Sequence, residues 1–180
     1  MKLGVRSSET RSFFDRLSAR LQSSSSQPPT PISQLFMTET KTIDPNQLFD
    51  DAIKAYQDGE SPAKLIPIFI NVCNKSPKLD SAWTCLSWLY LLDDKPQLAI
   101  KAALKSMKID PFDAQTRINL AAGMLETKQS GVREHIELAK SLVEAAPEVR
   151  DQVTINFKDG FARKPEWASL KRIEKLIFEE

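Results

Sequence analysis

Cysteine, histidine and glycine are scarce in this chain. Its 180 residues contain two cysteines, Cys73 and Cys85, one histidine, His135, and five glycines. Two cysteines are too few for a disulfide framework and lack metal-ligand spacing, so both are predicted to be small buried side chains in a reducing compartment. The glycines form no phosphate-binding loop. With no alternating Val/Ile/Thr runs bounded by turns, the composition also argues against an all-β fold.

Catalytic constellations are missing as well. His135 has no nucleophile at a readable spacing and is predicted to be a surface or packing residue. The acid pairs Asp50-Asp51 and Asp93-Asp94 stand at a helix start and a turn, where solvated carboxylates are common. The sequence therefore predicts no catalytic residue, no cofactor, no metal site and no enzymatic activity.

Long apolar runs and a strong net charge are absent too. No apolar run reaches the roughly 18 residues that are needed to span a bilayer. The formal net charge of +1 gives no sign of the basic face that nucleic-acid binding usually requires. A soluble, cytoplasmic protein is expected.

Proline, by contrast, is regularly placed. Pro77 and Pro111 lie 34 residues apart, and Pro147 follows 36 residues later. Each closes a stretch with helical character. A fixed period in the thirties predicts a row of stacked repeats rather than one globular core.

The middle repeat shows the pattern most clearly. Trp83, Leu86 and Tyr90 recur at helical spacing and are predicted to form the buried stripe of a first helix. A turn at residues 93–96 follows, and its proline suits the first turn of a second helix. That helix carries small residues, Ala99 among them, and ends before Pro111.

These residues resemble the signature of the tetratricopeptide repeat family, which has Trp, Leu and Tyr in its first helix, Ala in its second and Pro at its end. Ser87 and Ala103 depart from that signature. The resemblance implies an all-α fold, a right-handed superhelix of stacked antiparallel helix pairs. Repeats are placed at about 46–79, 80–113 and 114–147, and a longer turn in the third explains the 36-residue gap. The signature residues are Phe49, Tyr56, Phe69, Pro77, Trp83, Leu86, Tyr90, Ala99, Pro111, Leu120, Ala139 and Pro147.

Residues 148–180 are predicted to be a degenerate repeat that caps the row. A helix near residues 149–158 is expected to end at Asp159-Gly160, and a last helix to start at Lys164-Pro165. Trp167, Leu170, Ile173 and Leu176/Ile177 would lie on one face of that helix. Terminal repeats must cover the last apolar surface, so atypical sequence is expected there. The alternative is that this helix is itself a binding element.

Residues 1–43 are predicted to be a disordered or processed tail. Five basic residues against two acidic ones in residues 1–36, with runs of serine and proline, disfavour an ordered core there. Three interpretations stay open: a regulatory arm, a start codon that is really Met37, or a transit peptide. The last would place the protein in the plastid stroma.

The family resemblance also implies where a partner binds. First helices of such repeats line a concave groove that takes an extended peptide or a helix. The predicted groove residues are Lys54, Thr84, Trp88, Leu91, Ile118, Ala122 and Leu125. An uncovered apolar patch with Trp and Leu normally marks an interaction site, and then Trp88→Ala would leave thermal unfolding nearly intact. The alternative is that the protein's own tail or terminal helix covers Trp88.

The function predicted from these residues is a protein–protein interaction module, an adaptor or assembly factor whose partner is another protein. A chaperone-tail clamp is disfavoured, since Lys54 is its only plausible member. The alternative function is a helical-repeat RNA binder. Its only support is a basic set that is more simply a solvated helix face, made of Arg163, Lys164, Lys171, Arg172 and Lys175.

Overall fold

The computed structural model describes residues 44–179, so the predictions for residues 1–43 lie outside the described part of the chain. Between residues 44 and 179 the chain forms helices and no strand. The predicted all-α class is confirmed. In chain order the helices are α1 Pro45–Gln57, α2 Pro62–Lys75, α3 Asp80–Leu92, α4 Pro96–Ile109, α5 Ala114–Glu126, α6 Val132–Ala145, α7 Pro147–Arg163 and α8 Ala168–Phe178.

Proline begins half of the described helices and follows the ends of others. The first helical position tolerates its missing amide, because that N–H would have no partner within the helix. Four helices begin in this way, at Pro45, Pro62, Pro96 and Pro147. Helices α2 and α4 end two residues before Pro77 and Pro111, whose rings cannot continue a helix.

Short turns join the helices into the pairs α1–α2, α3–α4 and α5–α6, and each pair packs on the next through α2 against α3 and α4 against α5. The apolar signature residues point between the layers. All are buried except Tyr90, which is partly buried, whereas the three signature prolines are exposed. Helix α3 is the centre of the core, with buried residues on every side.

The C-terminal part differs from its prediction. Helix α7 does not end near residue 158 but continues through Asp159 and Gly160 to Arg163, and α8 begins at Ala168. Gly160 lies buried inside the helix. The position suits glycine because a side chain there would collide with its neighbours. A Cβ atom would lie 2.6 Å from Leu170 Cδ2 and 2.9 Å from Trp88 Cη2. Glycine therefore marks a close approach at this point, not a turn.

The last two helices form a hairpin. Helix α8 packs against α5 and α6, while α7 extends along the first helices of the pairs and reaches Tyr56 of α1. The buried apolar side chains of this α7–α8 hairpin are Val153, Phe157, Trp167, Leu170, Ile173 and Ile177. Leu176, predicted as a possible member of the same face, is exposed instead.

Candidate functional site: a filled groove and an outer slot

The groove formed by first helices α1, α3 and α5 is filled by the α7–α8 hairpin. Trp88 of α3 is 3% exposed and Ile118 of α5 is 1% exposed. Leu91 and Ala122 have no exposed surface at all. The apolar part of the predicted groove is therefore part of the protein core in this structure.

A chain of side-chain amides fastens α7 to the middle of the groove. Asn156 of α7 donates to Gln115 Oε1 at 2.6 Å, and Gln115 donates to Asn119 Oδ1 at 2.8 Å. Asn119 in turn donates to the backbone carbonyl of Thr84 at 3.1 Å. The hairpin thus satisfies the polar groups of the groove as well as its apolar ones, as buried amides require.

The far end of α7 is held on α1. The Tyr56 hydroxyl donates to the Asp159 carboxylate and accepts from Trp88 Nε1 at 2.9 Å. The Arg163 guanidinium lies 3.7 Å from the centre of the Tyr56 ring and donates to the Tyr56 carbonyl at 2.8 Å. Burial, with the charge of Asp159 beside it, raises the pKa of Tyr56. The phenol therefore stays neutral and acts as a structural donor.

The start of α8 is fastened to α3 and α5 in the same manner. Trp167 Nε1 donates to Glu126 Oε1 at 2.5 Å, and the Ser169 hydroxyl donates to the same oxygen at 2.8 Å. Lys164 pairs with Asp94 at 2.5 Å across the turn after α3. Polar contacts thus surround the apolar centre of the hairpin interface.

The predicted groove residues do not form an open surface in the structure. Thr84 is buried in a cluster of hydroxyl groups, 2.8 Å from Ser106 Oγ and 2.7 Å from Thr116 Oγ1, and this cluster joins α3, α4 and α5. Leu125 is partly buried beside the start of α8. Of the seven residues, only Lys54 is exposed. The α7–α8 hairpin covers Trp88 and Leu125, whereas α4 and α5 enclose Thr84.

The basic set that the sequence predicts to be a solvated helix face, and that is the only support for RNA binding, is only partly exposed. Arg163 and Lys164 are not solvated: each is partly buried and each is paired, with Asp159 and Asp94 respectively. Lys171 and Lys175 are exposed and pair with glutamates of the same helix region. This set therefore does not present a continuous positive surface.

The two cysteines are buried and the histidine is half-buried, although these residue types can act as nucleophiles or bases elsewhere. Burial raises the pKa of Cys73 to about 12 and raises the pKa of Cys85 well above its usual range, so both thiols stay protonated. His135 is half-buried with Nδ1 at 3.1 Å from Arg117 Nη1, and burial together with that cation lowers its pKa. Within residues 44–179 no group of three or more His, Cys, Asp or Glu side chains could hold a metal ion. None of the described helices is long and apolar enough to cross a membrane.

Sequence reasoning missed a slot on the outer face, the side formed by second helices α2 and α4. This outer slot, about 220 Å³ in volume, has side chains of α3 as its floor. Its lining includes Ile70 of α2, Trp83 and Tyr90 of α3, and Leu98, Lys101 and Lys105 of α4. One signal was available: α2 and α4 contain lysines but no aspartate or glutamate.

Comparison with known proteins supports the architecture. No family model matches the chain, and no curated protein matches it in sequence. Among solved structures, MamA MSR-1 C2, a protein that contains tetratricopeptide repeats, is similar with a TM-score of 0.53. The match covers 80% of this chain and 83% of that one at 14% sequence identity.

The fold is a tetratricopeptide-repeat-like solenoid. At so low an identity the likeness concerns the path of the backbone, and a shared fold does not carry a shared partner. The solenoid here differs from a simple row of repeats because its last two helices return to fill the groove.

Proposed function

We propose that this chain is a protein–protein interaction module whose accessible binding surface lies outside the groove. The solenoid fold supports an interaction role, because stacked helix pairs expose extended surfaces. The positions of the cysteines, the histidine and the acid pairs offer no arrangement of nucleophile and base. The observation that carries the proposal is the α7–α8 hairpin, which occupies the groove itself.

Burial of apolar side chains keeps the α7–α8 hairpin in the groove. The hairpin buries six large apolar side chains, and complete burial of one such side chain contributes about 1.5–3 kcal/mol. Opening the hairpin would therefore forgo burial free energy on the order of 10 kcal/mol, offset in part by the conformational entropy that the released helices regain. A partner that binds in the groove would have to offset this cost before any net affinity appeared.

The proposed partner is therefore a protein that binds the solenoid from outside. The RNA alternative gains no support from the structure's basic set, since Arg163 and Lys164 are engaged within the hairpin. An adaptor or assembly factor remains the function that fits a rigid, self-closed solenoid.

The test is capture of partners by the immobilised chain from an extract of the source cells, run in parallel with and without ribonuclease. The expected result is a protein enriched over the bare matrix, which then binds the chain when both are purified and mixed in a calorimeter. Lys54→Glu, at the exposed position of the predicted groove, should leave that binding intact. Loss of all binding on ribonuclease treatment, or the absence of any protein that binds in purified form, would contradict the proposal.

A further inference from the structure

We propose that the outer slot binds an acidic amphipathic segment of a partner protein, placing one apolar side chain between α2 and α4 and its carboxylates on the lysines of α4. This inference rests on the proposed function, since it names the kind of partner that the module takes. It is carried by three observations: the size of the slot, its apolar rim, and the unbalanced charge of α4.

The size of the slot suits a side chain rather than a free small molecule. Pockets that bury whole small-molecule ligands usually measure about 300–1,000 Å³. At about 220 Å³, the outer slot is smaller than that range. A large apolar side chain projecting from a peptide would fit within it.

Apolar side chains stand exposed on both sides of the slot. Ile70 on α2 is 37% exposed and Leu98 on α4 is 40% exposed. Ile109, which lies on the same face of α4 as Leu98 by helical spacing, is 38% exposed. These side chains form an apolar rim long enough to contact more than one residue of a bound segment.

The floor of the slot is already fixed in position. Trp83 donates from Nε1 to the carbonyl of Pro77 at 3.0 Å, which holds its indole in place between the helices. Lys105 Nζ lies 4.1 Å from the centre of that ring. A cation over the indole face keeps one positive charge at the mouth of the slot. The site therefore needs little ordering before it binds, which favours affinity.

The charge on this face has one sign. Lys101, Lys105 and Lys108 follow one another at helical spacing along α4, and all three are exposed. No carboxylate of the described residues forms an ion pair with any of them. Some other exposed lysines, such as Lys64 and Lys171, have such partners, but α4 is the helix on which three lysines without one lie along a single face. An acidic segment would supply the missing carboxylates, and complementary charge would speed its association.

The experiment measures binding of a fluorescein-labelled peptide of leucine and glutamate, with leucine at every third and fourth position, by fluorescence anisotropy. The wild-type chain should bind it saturably, and affinity should fall as salt rises. Lys101→Glu/Lys105→Glu should weaken binding at least tenfold. Ile70→Ser/Leu98→Ser should weaken it by a similar factor, because the apolar contact is lost.

Matched controls separate the slot from general surface properties. Lys54→Glu/Lys158→Glu makes the same change in net charge on α1 and α7, and Leu176→Ser removes an exposed apolar side chain of α8. Both should bind like the wild type. All substituted positions are exposed, so circular dichroism should show intact folding for each variant.

Four outcomes would overturn the inference. If Ile70→Ser/Leu98→Ser binds normally while charge reversal abolishes binding, the lysines act as a nonspecific positive surface. If a labelled single-stranded RNA binds more tightly than the peptide and competes with it, the face recognises nucleic acid. Absence of saturable peptide binding would also reject it. Capture of a purified partner that is unaffected by any slot variant would reject the slot while leaving the interaction module standing.

Discussion

The indole of Trp167 lies against the indole of Trp88, with ring centroids 5.2 Å apart and planes inclined by 41°. Each indole N–H has its own acceptor, the Tyr56 hydroxyl for Trp88 and the Glu126 carboxylate for Trp167. Buried tryptophans usually need such a partner. The contact joins residues 79 positions apart in the sequence. It is the point at which the terminal hairpin closes the groove.

Trp167→Ala should destabilise the protein strongly. The residue is 2% exposed, and truncation of a buried Trp to Ala typically costs about 3–5 kcal/mol because a cavity remains. Trp88→Ala should have a similar effect, contrary to the sequence-based expectation that unfolding would barely change. Urea titration followed by circular dichroism measures both. Phe112→Ala, at a residue that is 67% exposed, should stay within about 0.5 kcal/mol of the wild type.

Gly160→Ala should destabilise the protein although alanine is the better helix former. The helical preference favours alanine by about 1 kcal/mol. The added methyl group, however, would meet Trp88 and Leu170 below 3.0 Å, and overpacking of a core usually costs about 1–3 kcal/mol. Lys158→Ala, at an exposed position of the same helix, serves as the control. A Gly160→Ala variant as stable as the wild type would show that α7 does not approach α3 this closely.

Asp50→Asn should raise stability at neutral pH. Burial, with Asp51 and Asp44 nearby, raises the pKa of Asp50 from 3.8 to about 6, and one of its carboxylate oxygens is buried without a hydrogen-bond partner among the described residues. The folded state therefore holds the proton more tightly than the unfolded state. Ionisation opposes folding, so this group's contribution to stability falls as pH rises from about 4 to about 6.

The measurement is the difference in urea midpoint between the wild type and Asp50→Asn across that pH range. The difference should be small near pH 4 and grow to a gain on the order of 1 kcal/mol for the variant at pH 7, after allowance for solvent screening of a partly exposed group. Asp58→Asn removes one exposed charge from the following turn and serves as the control for charge removal alone. An equal gain for both variants would mean that charge removal alone, not the burial of Asp50, is responsible.

This acid pair also shows where sequence reasoning failed. Asp50-Asp51 was expected to be solvated at a helix start, yet Asp51 is buried and accepts from Gln47 Nε2 at 3.0 Å. Periodicity identifies which side of a helix is apolar, but it does not say how deeply a polar residue at the edge of that side will lie. Depth depends on the elements packed beside it.

Helix existence, by contrast, could be predicted well. Prolines at first helical positions, such as Pro62 and Pro96, act within a few residues of sequence, and the structure places α2 and α4 where they indicate. The apolar face of α8 was predicted correctly at Leu170, Ile173 and Ile177 for the same reason. Local backbone and side-chain preferences are sufficient to predict these helix starts and this apolar face.

The sequence alone determined that residues 44–179 are helical and that short turns join the helices of the first three pairs. Tertiary structure decided what the groove contains and which face stays open. From sequence, Trp88 could be covered by a partner, by the tail or by another helix. The hydrophobic free energy depends on the apolar area removed from water and not on which segment covers it. Only the folded chain shows that Trp167 and Gly160 lie against Trp88, and that the lysines of α4, on the opposite side, form no ion pair with a carboxylate of residues 44–179.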